Sequence, residues 1–170
     1  MPGKYKVCEV LIKNWHQSYP ASGSECETGN GYEVTISAGQ DVFNKDFGNY
    51  QNGSITGSKF EDLNGNGQWD KGEQGLTGWT IDLYASGSQD VLATAQTIED
   101  GNYLFSNLKP GNYTVKEVNQ DGWIQKLPVE NHGYSFAIIS GETEEGKNFG
   151  NFKLGIITGF KWNDTNGDGV

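Results

Sequence analysis

Oxygen-bearing side chains recur at fixed places in the twelve-residue run from Asp62 to Glu73. They stand at its first, third, fifth, ninth and twelfth places, and a glycine stands at its sixth. Calcium loops need this pattern, because several oxygens must surround a hard cation while the chain turns sharply in the middle. The alternative is an Asn-Gly-rich turn that connects two strands and binds no ion. We predict a Ca²⁺ site whose ligands are Asp62, Asn64, Asn66, Asp70, Glu73 and the backbone carbonyl of Gln68.

The opening of this loop returns near the end of the sequence. Asp164, Asn166 and Asp168 occupy the first three ligand places of the second copy. The ninth and twelfth places have no counterpart in the 170 residues. We therefore expect this partial loop to be empty or to bind weakly.

The two loops belong to a longer repeat. The run Phe-Gly-Asn at Phe47 returns at Phe149, a shift of 102 positions, whereas Tyr5–Glu9 matches Tyr113–Glu117 at a shift of 108. The first copy therefore carries about six extra residues, around 21–30. Repeats of such long period are typical of arrays of small modules. We interpret residues 1–50 as the back half of one module, 54–152 as a complete module and 155–170 as the front edge of a third.

Composition favours short strands on an acidic surface. The formal net charge is −10, and the chain holds 25 glycines and 12% aromatic residues. An acidic surface repels phosphate backbones and anionic lipids, so we expect no nucleic-acid partner. No apolar run approaches the ~20 residues that span a bilayer, so we expect no membrane insertion in this segment. No secretory leader begins the sequence, and the repeat pattern leads us to expect that the natural start lies upstream.

Alternating apolar and polar residues separated by glycine turns predict seven short strands in the complete module. This spacing is typical of an all-β protein, an antiparallel β-sandwich, and no helix longer than a turn or two is expected. The predicted strands are Ile55–Phe60, Gly78–Tyr84, Val91–Ile98, Tyr103–Phe105, Tyr113–Val118, Tyr134–Ile139 and Lys147–Phe152.

Two linked runs carry a family resemblance. They are Gly-Ser-Lys-Phe-Glu-Asp-Leu-Asn-Gly-Asn-Gly-Gln-Trp-Asp, from residue 57, and Asp-Gly-Asn-Tyr-Leu-Phe-Ser-Asn-Leu-Lys-Pro-Gly-Asn-Tyr-Thr-Val-Lys-Glu, from residue 100. Together they resemble the B-repeat domains of serine–aspartate-repeat (SD-repeat) bacterial surface proteins, which are relatives of collagen-adhesin B-type (Cna-B) domains. The resemblance implies an Ig-like or prealbumin-like sandwich in a tandem array, calcium-dependent rigidity, and a secreted or cell-surface adhesin.

The resemblance also implies a role for Lys59, Glu117 and Asn151. In Cna-B domains a first-strand lysine and a last-strand asparagine condense into an isopeptide bond, assisted by a buried glutamate. Alternation along Tyr113–Glu117 places Glu117 on the core face, where a lone carboxylate needs a partner. The amine of Lys59 would attack the side-chain amide carbon of Asn151, and ammonia would leave. The alternative is that Glu117 forms a plain ion pair with a lysine or accepts from backbone donors, and that Asn151 caps a strand end.

Cys8 and Cys26 are the only cysteines. A disulfide between them would tie the extra residues 21–30 to the sheet, and closing such a loop stabilises by ~3 kcal/mol in the chain-entropy model. The alternative is two free thiols in a reducing compartment. An extracellular setting favours the bond.

These observations favour a structural function over a catalytic one. We find no nucleophile–base pair, catalytic metal cluster or phosphate-cradling loop, so we do not expect an enzyme. The predicted function is a calcium-stabilised stalk or spacer repeat, whose partners are neighbouring repeats and a host or matrix protein or glycan. The alternative is a carbohydrate- or protein-binding module, for which Trp69 is the tryptophan to test for exposure.

Overall fold

The computed structural model describes residues 1–129 and 133–169, and within them regular structure is almost entirely β. One 3₁₀ turn, Glu99–Gly101, is the only helical element assigned in those residues, and none of their helices has the length and hydropathy to cross a membrane. The strands are β1 Gly3–Val7, β2 Trp15–Tyr19, β3 Ser24–Cys26, β4 Gly29–Ile36, β5 Gly48–Gln51, β6 Gly53–Glu61, β7 Thr80–Ala85, β8 Val91–Gln96, β9 Asn102–Leu108, β10 Gly111–Glu117, β11 Trp123–Leu127, β12 Gly133–Ile138, β13 Thr143–Glu144 and β14 Phe149–Lys153.

Two sheets pack face to face in the part of the chain from β6 to β14. One sheet has the strand order β12-β10-β7-β8; the other has β11-β14-β6, with β9 and β13 also paired to β6. The core between them is apolar because alternate residues of each strand point inward. Its buried members are Ile55, Trp79, Ile81, Leu83, Tyr103, Phe105, Tyr113, Val115, Ile138 and Phe149.

The predicted all-β sandwich is confirmed, and all seven predicted strands are present, with shifted ends. Two further strands, β11 and β13, raise the number in this region. Both are short, and each is a strand through its pairing with β14 or β6 rather than through a strong pattern of its own. The antiparallel expectation also needs correction at β6, which runs parallel to β13 and β14. The parallel pair β6–β14 joins the first and last strands of this part of the chain, which lie side by side in the sheet.

The strands before β6 reproduce part of this arrangement. β1 pairs with β4 as β10 pairs with β12, so that Gly3 faces Ile36 just as Gly111 faces Ile138. β2 pairs with β5 as β11 pairs with β14, and the register shifts at the corresponding place in each pair. The repeat seen in the sequence therefore appears as repeated strand pairing.

The extra residues of the first copy form a small hairpin. β3 pairs with the beginning of β4, and Cys26, at the end of β3, forms a disulfide with Cys8, which directly follows β1. The two Cα atoms are 6.0 Å apart. A side chain at Gly31 would collide with Cys26 Sγ, so a glycine is required beside the bridge.

Candidate functional site

The loop from Asp62 to Glu73 begins where β6 ends, and the sheet holds both of its ends. The Glu61 N–H donates to the Gln74 carbonyl at 2.9 Å, and the Asp62 N–H donates to the Asn151 carbonyl of β14 at 2.8 Å. Asp62 is fully buried. The loop is therefore attached to the first and last strands of the sandwich at once.

The Asp62 carboxylate organises the turn. It accepts the backbone N–H of Asn66 at 3.0 Å on Oδ1 and that of Gly67 at 2.7 Å on Oδ2. Gly65 and Gly67 have φ values of 72° and 75°, a region that glycine adopts without strain. The glycine at the sixth place of the pattern is thus used as the sequence predicts.

Side chains from the third, fifth and ninth places converge on one point. Asn64 and Asn66 both donate their Nδ2 groups to Asp70 Oδ2, at 2.9 and 2.8 Å. These hydrogen bonds, that from Asn64 foremost, hold the pKa of Asp70 below its ordinary value, because they favour the charged carboxylate.

The Glu73 carboxylate closes the loop. Its Oε1 accepts the Leu63 N–H at 2.8 Å and its Oε2 accepts the Asp70 N–H at 2.9 Å. Glu73 therefore bridges the beginning and the ninth place of the loop.

The candidate ligands fit a hard cation that binds neutral amide oxygens as well as carboxylates. Within residues 1–129 and 133–169, no three His, Cys, Asp or Glu side chains form a metal-binding group by themselves. The loop instead combines carboxylates with amide oxygens, a mixture that Ca²⁺ accepts readily. The Asn64 and Asn66 Oδ1 atoms each accept a backbone N–H and retain a second lone pair. The backbone carbonyl of Gln68 remains the candidate for the seventh place.

Trp69 attaches the loop to the core. Its ring is stacked on that of Phe60, with centroids 5.1 Å apart and planes 4° from parallel, and its Nε1–H donates to the Glu73 carbonyl at 3.1 Å. Trp69 is 42% exposed. One ring face is thus occupied, a contact that the sequence analysis did not anticipate.

The second loop repeats the Asp-centred turn. Asp164 accepts the Gly167 N–H at 2.7 Å and the Gly169 N–H at 2.8 Å, and backbone hydrogen bonds, that from Gly169 foremost, lower its pKa. Asn166 donates to Asp168. Three predicted ligands are thus brought together here, whereas Val170 lies outside the described residues.

The structure brings Lys59, Glu117 and Asn151 together in the core. Lys59 Nζ lies 2.8 Å from Glu117 Oε2, and Asn151 Nδ2 donates to Glu117 Oε1 at 2.6 Å. All three residues are buried. Burial lowers the pKa of Lys59 to about 8, although the neighbouring Glu117 charge opposes this shift.

Trp79 covers this buried triad. Lys59 Nζ lies 4.3 Å from the centroid of the Trp79 ring, and Trp79 is 3% exposed. The aromatic face therefore gives the buried cation a second favourable contact. The sequence does not single out Trp79, because its contact with Lys59 of β6 spans the sandwich.

A related pair lies in the first copy. Asn49 Nδ2 donates to Glu9 Oε2 at 2.9 Å. Glu9 and Asn49 precede Glu117 and Asn151 by the same shifts, 108 and 102 positions, that relate the repeated runs. The pair could have been predicted from the sequence by applying the two shifts together to Glu117 and Asn151.

Comparisons with known proteins assign the chain to a family. A family model described as the SdrD B-like domain matches residues 53–145, more than half of the chain. The chain belongs to the SdrD B-like domain family. Serine-aspartate repeat-containing protein D of Staphylococcus aureus strain Newman is 29% identical to this chain in an alignment that covers 99% of the chain. The chain spans only 14% of the length of that relative. Colossin-B of Dictyostelium discoideum is 34% identical over 35% of the chain and 2% of its own length.

Solved structures give a weaker likeness to this SdrD B-like chain. The alignment with the minor pilin GBS52 of Streptococcus agalactiae covers 76% of this chain and 62% of the pilin chain. The sequence identity is 16% and the TM-score is 0.45. The assignment to the family therefore relies on the family model.

Proposed function

We propose that this SdrD B-like chain is a non-catalytic, calcium-stabilised spacer of a bacterial surface protein. The observation that carries the proposal is the convergence of Asp62, Asn64, Asn66, Asp70 and Glu73 in a loop tied to both β6 and β14. A cation held there would join the first and last strands of the sandwich. An extracellular setting, with neighbouring repeats as partners, is supported by the named surface-protein relatives and by the Cys8–Cys26 disulfide.

Calcium would act by replacing hydrogen bonds that now close the loop. The Asn64 and Asn66 amide groups donate to Asp70, so binding requires that they turn their oxygens toward the ion. The Asp62 carboxylate already accepts two backbone N–H groups and is positioned by the fold. Because the unfolded chain lacks this arrangement, calcium would bind the folded state preferentially and stabilise it by mass action.

Thermal unfolding tests the proposal. The melting temperature should rise as calcium is added through the ~10⁻⁴–10⁻³ M range typical of extracellular modules, and chelator should reverse the rise. Magnesium at the same concentrations should raise it less, since Mg²⁺ demands a tighter octahedral site. An unchanged melting temperature at saturating calcium would contradict a stabilising ion.

The buried triad supports a second, permanent means of stabilisation. Its geometry is that of an ion pair between Lys59 and Glu117, and it also fits the condensation that the family resemblance implies. In that reaction Lys59 Nζ would bond to the amide carbon of Asn151, and the Asn151 nitrogen would leave as ammonia. Glu117, in contact with both groups, would pass the proton. The intact mass distinguishes the two states, because the condensed chain is lighter by one ammonia.

The binding-module alternative depends on Trp69. One face of its ring is stacked on Phe60, which leaves the other for a sugar. Glycan-array binding that is lost in Trp69→Ala would support that alternative over a spacer.

A further inference from the structure

Two asparagines in the loop from Asp62 to Glu73 are each followed by a glycine. They are Asn64, before Gly65, and Asn66, before Gly67. In such a pair the glycine nitrogen can attack the amide carbon of the asparagine side chain, because glycine has no Cβ to hinder the approach. The reaction is intramolecular, so its rate depends on how the loop holds the two reacting atoms.

The two asparagines present their amide groups in the same way. Asn64 Oδ1 accepts the Asn66 N–H at 3.0 Å, and Asn66 Oδ1 accepts the Gln68 N–H at 2.7 Å. Each hydrogen bond stabilises the negative charge that develops on the amide oxygen during attack. Both Nδ2 groups donate to Asp70 Oδ2, and both side chains are exposed to water. The amide carbons of the two pairs are thus closely matched as targets.

The two glycine nitrogens differ. The Gly67 N–H donates to Asp62 Oδ2 at 2.7 Å, a short bond to a carboxylate. This bond holds the nitrogen toward Asp62, and the negative charge disfavours the loss of the proton that makes the nitrogen nucleophilic. The Gly65 N–H donates to the neutral backbone carbonyl of Asp62 at 3.3 Å, beyond the usual range of such bonds. The nucleophile beside Asn64 is therefore held less firmly than the one beside Asn66.

The other Asn-Gly pairs of the chain are restrained as well. They begin at Asn30, Asn52 and Asn166. The glycines of the first two pairs lie in paired strands, which restrain the approach of their nitrogens. In the third pair, the Gly167 N–H donates to Asp164 Oδ1 at 2.7 Å, a bond to a carboxylate like that in the pair at Asn66. The pair at Asn64 differs from all four.

We propose that Asn64 is a self-modification site, at which the Gly65 nitrogen displaces the side-chain amide and the loop gains an aspartate. The bond from Gly65 N to Asn64 Cγ forms and the Cγ–Nδ2 bond breaks. Nδ2 takes the proton of the Gly65 N–H and leaves as ammonia, and a cyclic succinimide remains. Water that attacks Cγ opens the ring to aspartate. Water that attacks the backbone carbonyl carbon opens it to isoaspartate, in which the chain continues through the side chain.

The modification would change calcium binding, a consequence that rests on the proposed function. Residue 64 occupies the third ligand place, where the aspartate product puts a carboxylate instead of an amide oxygen. The loop then has a fourth carboxylate besides those of Asp62, Asp70 and Glu73, and added ligand charge raises the affinity for calcium. The isoaspartate product lengthens the backbone within the turn and should weaken the site. Modification at Asn64 thus divides the molecules into tighter and weaker calcium binders.

Peptide mapping by tandem mass spectrometry tests the site. The 170-residue protein is kept folded in mildly alkaline buffer with chelator, and fragments of the tryptic peptide 60–71 that end between the two asparagines distinguish them. Asn64 should be converted about tenfold faster than Asn66. In the chain unfolded by guanidinium the two should be converted at similar rates, because the restraint on Gly67 is gone. Equal rates in the folded protein, or faster conversion of Asn66, would overturn the proposal.

A variant tests whether the carboxylate causes the difference. Asp62→Asn retains an acceptor oxygen but removes the charge beside the Gly67 nitrogen, so conversion of Asn66 should accelerate toward the rate at Asn64. Asp90→Asn, at an exposed aspartate outside the loop, is the control and should change neither rate. A rate at Asn66 that Asp62→Asn leaves unchanged would contradict the protection on which the choice of Asn64 depends.

A calcium titration tests the consequence separately. Asn64→Asp, which reproduces the aspartate product, should bind calcium about tenfold more tightly than the wild type. Equal or weaker binding would overturn the gain in affinity. A wild type and Asn64→Asp that both fail to bind calcium would overturn the proposed function, whereas the conversion of Asn64 in chelator would stand.

Discussion

The calcium-type loop and the buried triad both adjoin the end of β6 but differ in their access to solvent. Lys59, Glu117 and Asn151 are buried between the sheets, whereas Asp70, Asn64 and Asn66 are exposed in the loop. Exposed hydrogen bonds exchange with water or an ion, but a sealed ion pair can rearrange only if the sandwich opens. We therefore propose that the loop provides reversible stabilisation and that stabilisation by the triad lasts as long as the sandwich stays closed.

The largest expected effect is at the triad. Lys59→Ala would leave the Glu117 charge buried without its cation, a change that costs about 3–5 kcal/mol in the free energy of unfolding. Urea unfolding measures this loss. The matched control is the double variant Lys59→Met with Glu117→Gln, which removes both charges and should lose much less. Equal losses in the two variants would show that packing, not the ion pair, dominates this site.

The next effect is at the buried end of the loop. Asp62→Ala deprives the Asn66 and Gly67 N–H groups of their acceptor and should cost about 2 kcal/mol without calcium. It should also abolish any rise of the melting temperature with calcium. Asp164→Ala removes the same kind of turn from the partial loop, and we expect no measurable change in the unfolding transition. A calcium response that survives Asp62→Ala would place the ion elsewhere.

The two loops also show how far sequence reasoning extends. The Asp-centred turn forms at both Asp62 and Asp164, because it depends only on local residues. The first loop is in addition held by tertiary contacts, which are the backbone hydrogen bond to Asn151 and the stacking of Trp69 on Phe60. Spacing therefore predicted which side chains meet in the loop but not how the loop is attached to the core.

The fold was predictable to a similar extent. Alternation indicated the long strands of the sandwich, since one face of each is buried. The short strands β11 and β13, and the parallel pairing on β6, depend on which distant segments become neighbours. The Lys59–Glu117–Asn151 cluster came from the family resemblance, because alternation supplied only the inward direction of Glu117.

A pH titration sharpens the comparison at the triad. The pKa of Lys59 is lowered from 10.5 to about 8 by burial. Between these values the unfolded chain binds more protons than the folded one, so stability should rise with pH from about 8 to 10.5. We expect a gain of roughly 1 kcal/mol by pH 10, after allowance for the coupled carboxylate. Lys59→Met should lack this gain.

A flat wild-type profile would mean that Lys59 does not titrate as a free amine in this range. The intact mass then decides between the remaining explanations. A deficit of one ammonia would show the isopeptide, and a full mass would contradict the lowered pKa.

The smallest effect is at the exposed part of the loop. Asp70→Asn removes one candidate ligand and the carboxylate that both asparagines contact, so calcium affinity should fall while stability in chelator changes little. Since the pKa of Asp70 is lowered, its contribution is present above the ordinary value and is lost as the pH falls through the lower one. Trp69 fluorescence during a calcium titration measures the calcium affinity of Asp70→Asn. Asp90→Asn, a change at an exposed aspartate outside the loop, is the control.

Isothermal titration of the protein with calcium tests the central claim most directly. The account predicts one site per chain, with a Kd of about 10⁻⁴–10⁻³ M, retained in Asp164→Ala and lost when Asp62→Ala is combined with Glu73→Gln. Absence of binding at about 10 mM calcium, or one site that persists in the double variant, would contradict a calcium-stabilised spacer built on this loop.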